Sequence, residues 1–90
     1  GLTLPLPSLP LRDHADLVRR AEAAGYTDLW SGETQGPDGF TPLAACAAWT
    51  ERVRLGTGVV GVFTRGPALL AQQAAALADL SGGRFALGIG

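Results

Sequence analysis

Leu2, Leu4 and Leu6 alternate with other residues, which predicts a short strand over residues 1–6. Pro5, Pro7 and Pro10 then interrupt regular structure. From Arg12 the period lengthens. Leu17, Val18, Ala21 and Ala24 fall on one face at helical spacing. Asp13 and Asp16 in the first turn and Arg19 and Arg20 further on suit the helix dipole, and Gly25 supplies a left-handed stop. Tyr26 to Ser31, with Leu29 and Trp30, reads as a second strand, with Trp30 expected in the core. The polar, glycine-rich stretch 32–40 is a loop. Thr41-Pro42 predicts a capped helix start, with the helix running to Trp49 or Thr50. Arg52 to Val60 is a third strand, ending in glycines. Gly66-Pro67 opens a third helix whose inner face is Leu69, Leu70, Gln73, Leu77 and Leu80, closed by Ser81-Gly82-Gly83. Arg84 to Ile89 is a fourth strand. The order β-α-β-α-β-α-β places the chain in the α/β class, with four parallel strands joined by right-handed crossovers. No sequence repeat is visible beyond that alternation.

Composition narrows the field. At 90 residues and 47% hydrophobic the chain is globular, and at this length one small domain over residues 1–90 is expected. The net charge is −1 with the basic residues scattered, which argues against nucleic acid or an anionic membrane as partner. Cys46, the single cysteine, sits between alanines and is expected to be a small buried helix residue, so no disulfide or cysteine metal cluster is expected. No apolar run reaches the roughly 18 residues of a membrane span, and no signal-peptide pattern is present; a reducing cytoplasm is the expected setting.

Gly56, Gly58 and Gly61 form G-x-G-x-x-G, the dinucleotide-binding spacing. A true fingerprint closes directly onto a helix N-terminus, usually after the first strand. Here Val59, Val60, Val62 and Phe63 favour extended backbone, and the helix starts only at Pro67. The acidic residue at a suitable distance, Asp79, falls inside a helix. The match is therefore read as accidental. Glycines at a strand end still need a reason: either close approach by a flat ligand or tight packing of strand against helix.

The segments AEAAGYTDLWSGET, LGTGVV and TRGPALLAQQAAALADLSGGRFALGIG resemble the N-terminal part of the bacterial luciferase-like superfamily, and within it the oxidoreductases that use coenzyme F420. The resemblance implies part of a (β/α)8 TIM barrel, with a deazaflavin, or alternatively FMN, at the C-terminal strand ends. It implies hydride transfer to or from a small organic substrate, or else an FMN-dependent monooxygenase reaction. It also implies a non-prolyl cis peptide at Gly58-Val59 that backs the ring, with Gly61 close to the cofactor. Glu33 matches an acidic residue near the ring that would assist protonation or orient it. Thr34 stands where some relatives carry a histidine proposed as proton carrier, and threonine cannot relay a proton at neutral pH. Arg65 matches the arginine of R-x-P, as a contact near the cofactor or, preferably, a brace for the loop. Away from the site, His14 is expected to be a solvated helix residue and Arg84 a structural one.

A complete barrel takes about 250 residues. Four strands and three helices make a half-barrel-like piece, truncated relative to the family. Such a piece is expected to act as a homo-oligomer or with the remainder of a longer enzyme. A self-associating scaffold without catalysis is the alternative.

Overall fold

The computed structural model describes residues 1–34 and 36–90. The elements are β1 (Leu2–Leu4), a 3-10 turn (Leu11–His14) leading into α1 (Ala15–Ala23), β2 (Asp28–Ser31), α2 (Phe40–Trp49), β3 (Arg54–Thr57), α3 (Pro67–Leu80) and β4 (Phe85–Ala86). The strands lie in the order β1-β2-β3-β4, and every pair is parallel. A doubly wound sheet reverses its strand order part-way. This one does not, so successive right-handed crossovers place all three helices on one face, as in consecutive units of a (β/α)8 barrel.

The strands are shorter than their patterns. Pro5 has no N–H to donate, so β1 ends at Leu4. The Tyr26 N–H is taken by the Ala21 carbonyl at the end of α1, so β2 begins later, at Asp28. Beyond β3 and β4 the ladder resumes as a single bridge, Val60 to Ile89.

Leu4, Leu29 and Leu55 turn one face of the sheet toward Val18, Leu43, Cys46, Ala47 and Leu77, and these form the core. Burial pushes the Cys46 thiol up to about 11, which leaves it protonated and inert at neutral pH. Trp30 alternates with the buried Leu29 and Ser31, so it faces the other side of the sheet and is 38% exposed rather than core. There its ring covers Gly56, where a Cβ would overlap it, and its Nε1 donates to the Asp28 carboxylate.

The inner face of α3 is narrower than expected. Leu77 is buried and Leu70 and Gln73 half-buried, whereas Leu69 and Leu80 are exposed. At about 100° per residue, Leu69 and Leu80 fall together on the flank of the Leu70–Leu77 line.

The start of α2 also differs. The capping acceptor is Asp38, whose carboxylate takes the N–H groups of Phe40 (3.0 Å) and Thr41 (3.1 Å). Thr41 is instead inside the helix. Asp38→Ala is expected to lower stability by about 1 kcal/mol, read as a drop in the urea midpoint at unchanged slope.

His14 is buried, not solvated. The 3-10 turn rolls its ring inward, where it bonds to both ends of the loop that follows β1. Gly25 (φ +100°) and Gly82-Gly83 (φ +66° and +84°) end α1 and α3 in the left-handed region, as the sequence predicts. Arg84 is structural: its guanidinium donates to the carbonyls of Ala47, Thr50, Val53 and Ser81 and to the Thr50 hydroxyl. At the same end of the sheet the Glu22 carboxylate accepts three backbone N–H groups, from Glu51, Arg52 and Val53. Among the described residues no helix is long and apolar enough to cross a membrane, and no cluster of metal-ligating side chains is found.

Candidate functional site

Parallel strands bring their C-terminal ends to one edge, where Leu4, Ser31 and Thr57 end β1, β2 and β3. The Gly58-Val59 peptide just past Thr57 is cis, as the family resemblance implies. It is tied on both sides. The Gly58 N–H donates to the Ser31 carbonyl (2.7 Å) and the Glu33 N–H donates to the Val59 carbonyl (3.0 Å). On the far side the Val60 N–H donates to the Gly88 carbonyl (3.0 Å), and the Gly90 N–H to the Val60 carbonyl (3.1 Å). The buried Thr57 hydroxyl donates to the Gly88 carbonyl (2.9 Å) and accepts the Gly88 N–H (2.8 Å).

Such close stitching needs bare backbone. A Cβ at Gly32 would sit 2.8 Å from the Gly58 carbonyl oxygen and 3.3 Å from the Val59 nitrogen. A Cβ at Gly88 would overlap the Thr57 carbonyl. At Gly58 itself, chain neighbours aside, a Cβ would meet among the described residues Cε3 of Trp30, at an ordinary contact distance of 3.5 Å, so that side of the tip is uncrowded. The fingerprint glycines thus do three separate jobs. Gly56 lies under Trp30, Gly58 presents an uncrowded face, and Gly61 gives its N–H to Glu33. The helix begins only at Pro67, so no glycine turn closes onto its N-terminus.

Glu33 and Arg65 form a forked ion pair, with Nη1 to Oε1 at 3.0 Å and Nη2 to Oε2 at 2.5 Å. Glu33 also accepts the N–H groups of Gly39 (3.0 Å) and Gly61 (3.2 Å). The Arg65 guanidinium lies 5.2 Å over the Phe40 ring, and the side chains of Arg65 and Glu33 are only 9% and 17% exposed. The Arg65 hydrogen bonds, helped by those two backbone donors and outweighing burial, hold the Glu33 carboxyl down to about 2. Glu33 in turn holds Arg65 above the ordinary arginine range. One carboxylate therefore ties the loop after β2, the start of α2 and the loop after β3 into a single block. The Ser31 hydroxyl adds a bond to the Gly39 carbonyl (2.7 Å).

Thr34 is exposed and lies between two hollows. One, of about 670 Å³, is walled by the loop after β1 and floored by Gly32 and Gly58. The other, of about 270 Å³, is lined by Glu33, Asp38, Thr64 and Arg65. All six residues singled out from the sequence, Glu33, Thr34, Gly58, Val59, Gly61 and Arg65, thus meet at one edge. The sequence reading missed Gly32, Gly39, Gly88 and Asp38. Asp38 had a signal, an aspartate just before the first apolar helical residue. The glycines had none, because their constraint is contact with distant parts of the chain, backbone at Gly32 and Gly88 and the Val60 side chain at Gly39.

The Mycobacterium tuberculosis protein Rv3520c, provisionally named a coenzyme F420-dependent oxidoreductase, is 46% identical over 81 residues, covering 90% of this chain and 23% of its own length. The coenzyme F420-dependent tetrahydromethanopterin reductase from Methanopyrus kandleri superposes with a TM-score of 0.84 at 30% identity, over 99% of this chain and 26% of that one. A type II Baeyer-Villiger monooxygenase from Pseudomonas putida, in complex with FMN, gives a TM-score of 0.85 at 21% identity over the whole chain and 28% of its own, a likeness of fold. The chain therefore spans about a quarter of the length of these relatives. Residues 3–90 match the family described as luciferase-like monooxygenase, and the chain belongs to that family.

Proposed function

We propose that this chain forms the ring-binding edge of a luciferase-like oxidoreductase that uses coenzyme F420 on a small organic substrate. The observation that carries the reading is the backbone face at Gly58, which has no side chain of its own and where a Cβ would meet the Trp30 ring only at ordinary contact distance, 3.5 Å, so that a flat ring can approach. The residues fit such a ring. Gly58 and Val59 would lie against it, Gly32 and Gly88 keep the tip thin, and Gly61 and Arg65 fix the tip's position through Glu33. When bound, the deazaflavin supplies a two-electron hydride transfer.

Glu33 acts in this reading as a positioning group. A carboxyl held at about 2 is ionised at neutral pH and has no proton to give, and its oxygens are already taken by four donors. The Thr34 hydroxyl can orient a polar substrate atom but does not carry protons at neutral pH. Because the chain matches about a quarter of its relatives, we assign residues 1–90 to a single half-barrel piece acting with the remainder of a longer enzyme or with further copies of itself. FMN is the second reading, favoured by the fold shared with the FMN-bound monooxygenase.

The test is a titration of the full-length protein with F420 and with FMN, followed by absorbance and fluorescence. Saturable binding of F420 in preference to FMN supports the first reading, and the reverse order supports the second. Binding of neither, by a stable oligomer, would leave a non-catalytic scaffold.

A further inference from the structure

We propose that the cavity of about 670 Å³ beside Gly58 receives an uncharged, largely apolar part of the organic substrate, and that His14 is the positioning residue that holds its wall. The inference rests on the ring-binding reading above and names the substrate class of the same site.

The lining is the first observation. The wall is built from the leucines and prolines of residues 4–11, and among the described residues its polar members are Thr3, Ser8 and Thr34. Among the described residues no ionisable side chain lines it. The nearest ion pair, Glu33 with Arg65, is closed on itself and faces the neighbouring hollow. A charged group entering here would find no counter-ion among these lining residues, whereas a carbonyl or hydroxyl needs only one of the three hydroxyl-bearing residues.

The second observation is how the wall is held. His14 is 1% exposed; its Nε2 accepts the Leu6 N–H and its Nδ1–H donates to the Pro10 carbonyl, both at 2.9 Å. With Nε2 as acceptor, the ring proton is placed on Nδ1. One side chain fixes both ends of a five-residue loop, and between them Ser8 is kept at φ +64°, a left-handed conformation uncommon for serine. Ser8 is thereby held in the lining of the cavity.

The experiment measures calorimetric binding of cyclohexanone, cyclohexanecarboxylate and cyclohexylamine to the full-length protein. The ketone is expected to bind at least about tenfold more tightly than either ion. Ser8→Trp, which narrows the cavity from its wall, is expected to weaken the ketone by about tenfold or more. His14→Phe keeps the ring but removes both bonds. Hydrogen exchange in the segment carrying the Leu6 amide should rise at least about tenfold, and ketone binding should weaken with it. His14→Gln, whose amide has one acceptor and two donors, should recover part of both effects. If the phenylalanine variant fails to fold, the glutamine variant and Ser8→Trp still decide.

The proposal is overturned if either ion binds as tightly as the ketone, or if Ser8→Trp leaves ketone binding unchanged. Wild-type exchange at Leu6 in both His14 variants would overturn the role of His14. Ketone selectivity without binding of F420 or FMN would remove the cofactor reading and keep the cavity, and the converse would remove the cavity alone.

Discussion

Replacing Glu33 with alanine is expected to destabilise the fold by about 3 kcal/mol and to weaken ring binding by at least about tenfold. The size follows from what is left behind. Arg65, 9% exposed, would keep its charge with no counter-ion, and the N–H groups of Gly39 and Gly61 would lose their acceptor. Glu33→Gln, which still accepts a hydrogen bond, should cost about half as much. Urea denaturation at constant slope reads the first effect and the F420 titration the second.

The pH dependence separates a clamp from a proton carrier. The Glu33 carboxyl is held at about 2, below its ordinary value of 4.5, so its contribution is fully present above about pH 4.5 and is lost as the pH falls toward 2. The stability gap between the native protein and Glu33→Gln should therefore be constant from pH 5 to 8 and close on acidification. If Glu33 instead delivered protons, the pH–rate profile would carry a limb near neutrality that the glutamine variant lacks. The geometry predicts no such limb.

Gly32→Ala is expected to cost about 2–3 kcal/mol and to abolish tight ring binding. The added methyl would sit 2.8 Å from the Gly58 oxygen and 3.2 Å from its carbonyl carbon, and both are backbone atoms that no rotamer change can move aside. The tip must shift, and with it the face offered to the ring. Gly66→Ala is the control. Among the described residues nothing beyond its chain neighbours lies within 4 Å of a Cβ there, and φ is −71°, so its effect should stay within about 0.5 kcal/mol. A Gly32→Ala variant with native affinity would mean that the ring does not rest on this tip.

The sequence carries the architecture where local pattern governs it. The strand–helix alternation, the glycine stops at Gly25 and Gly82-Gly83, and the Pro67 helix start all reappear in the structure. It misleads where the answer depends on the other side of the molecule. Trp30 looks like a core residue until pairing of β2 between β1 and β3 fixes which side of the sheet is covered. Leu69 and Leu80 look like packing residues until their angular position around α3 is set against α2 and β4. His14 looks solvated because the loop that needs it, Leu6 to Pro10, is linked to it by hydrogen bonds rather than by spacing. The Glu33–Arg65 pair spans 32 positions, so only the fold could join them. The cis tip was legible through family resemblance alone, because G-x-G-x-x-G by itself points to phosphate.

A crystal structure of the full-length protein with F420 or FMN bound tests the central claim most directly. The account predicts the flat ring in van der Waals contact, about 3.5–4 Å, with the Gly58-Val59 backbone, and the Glu33–Arg65 pair intact behind it. A ring seated elsewhere on the strand ends, or one in place with Glu33 turned from Arg65 toward it, would contradict the account.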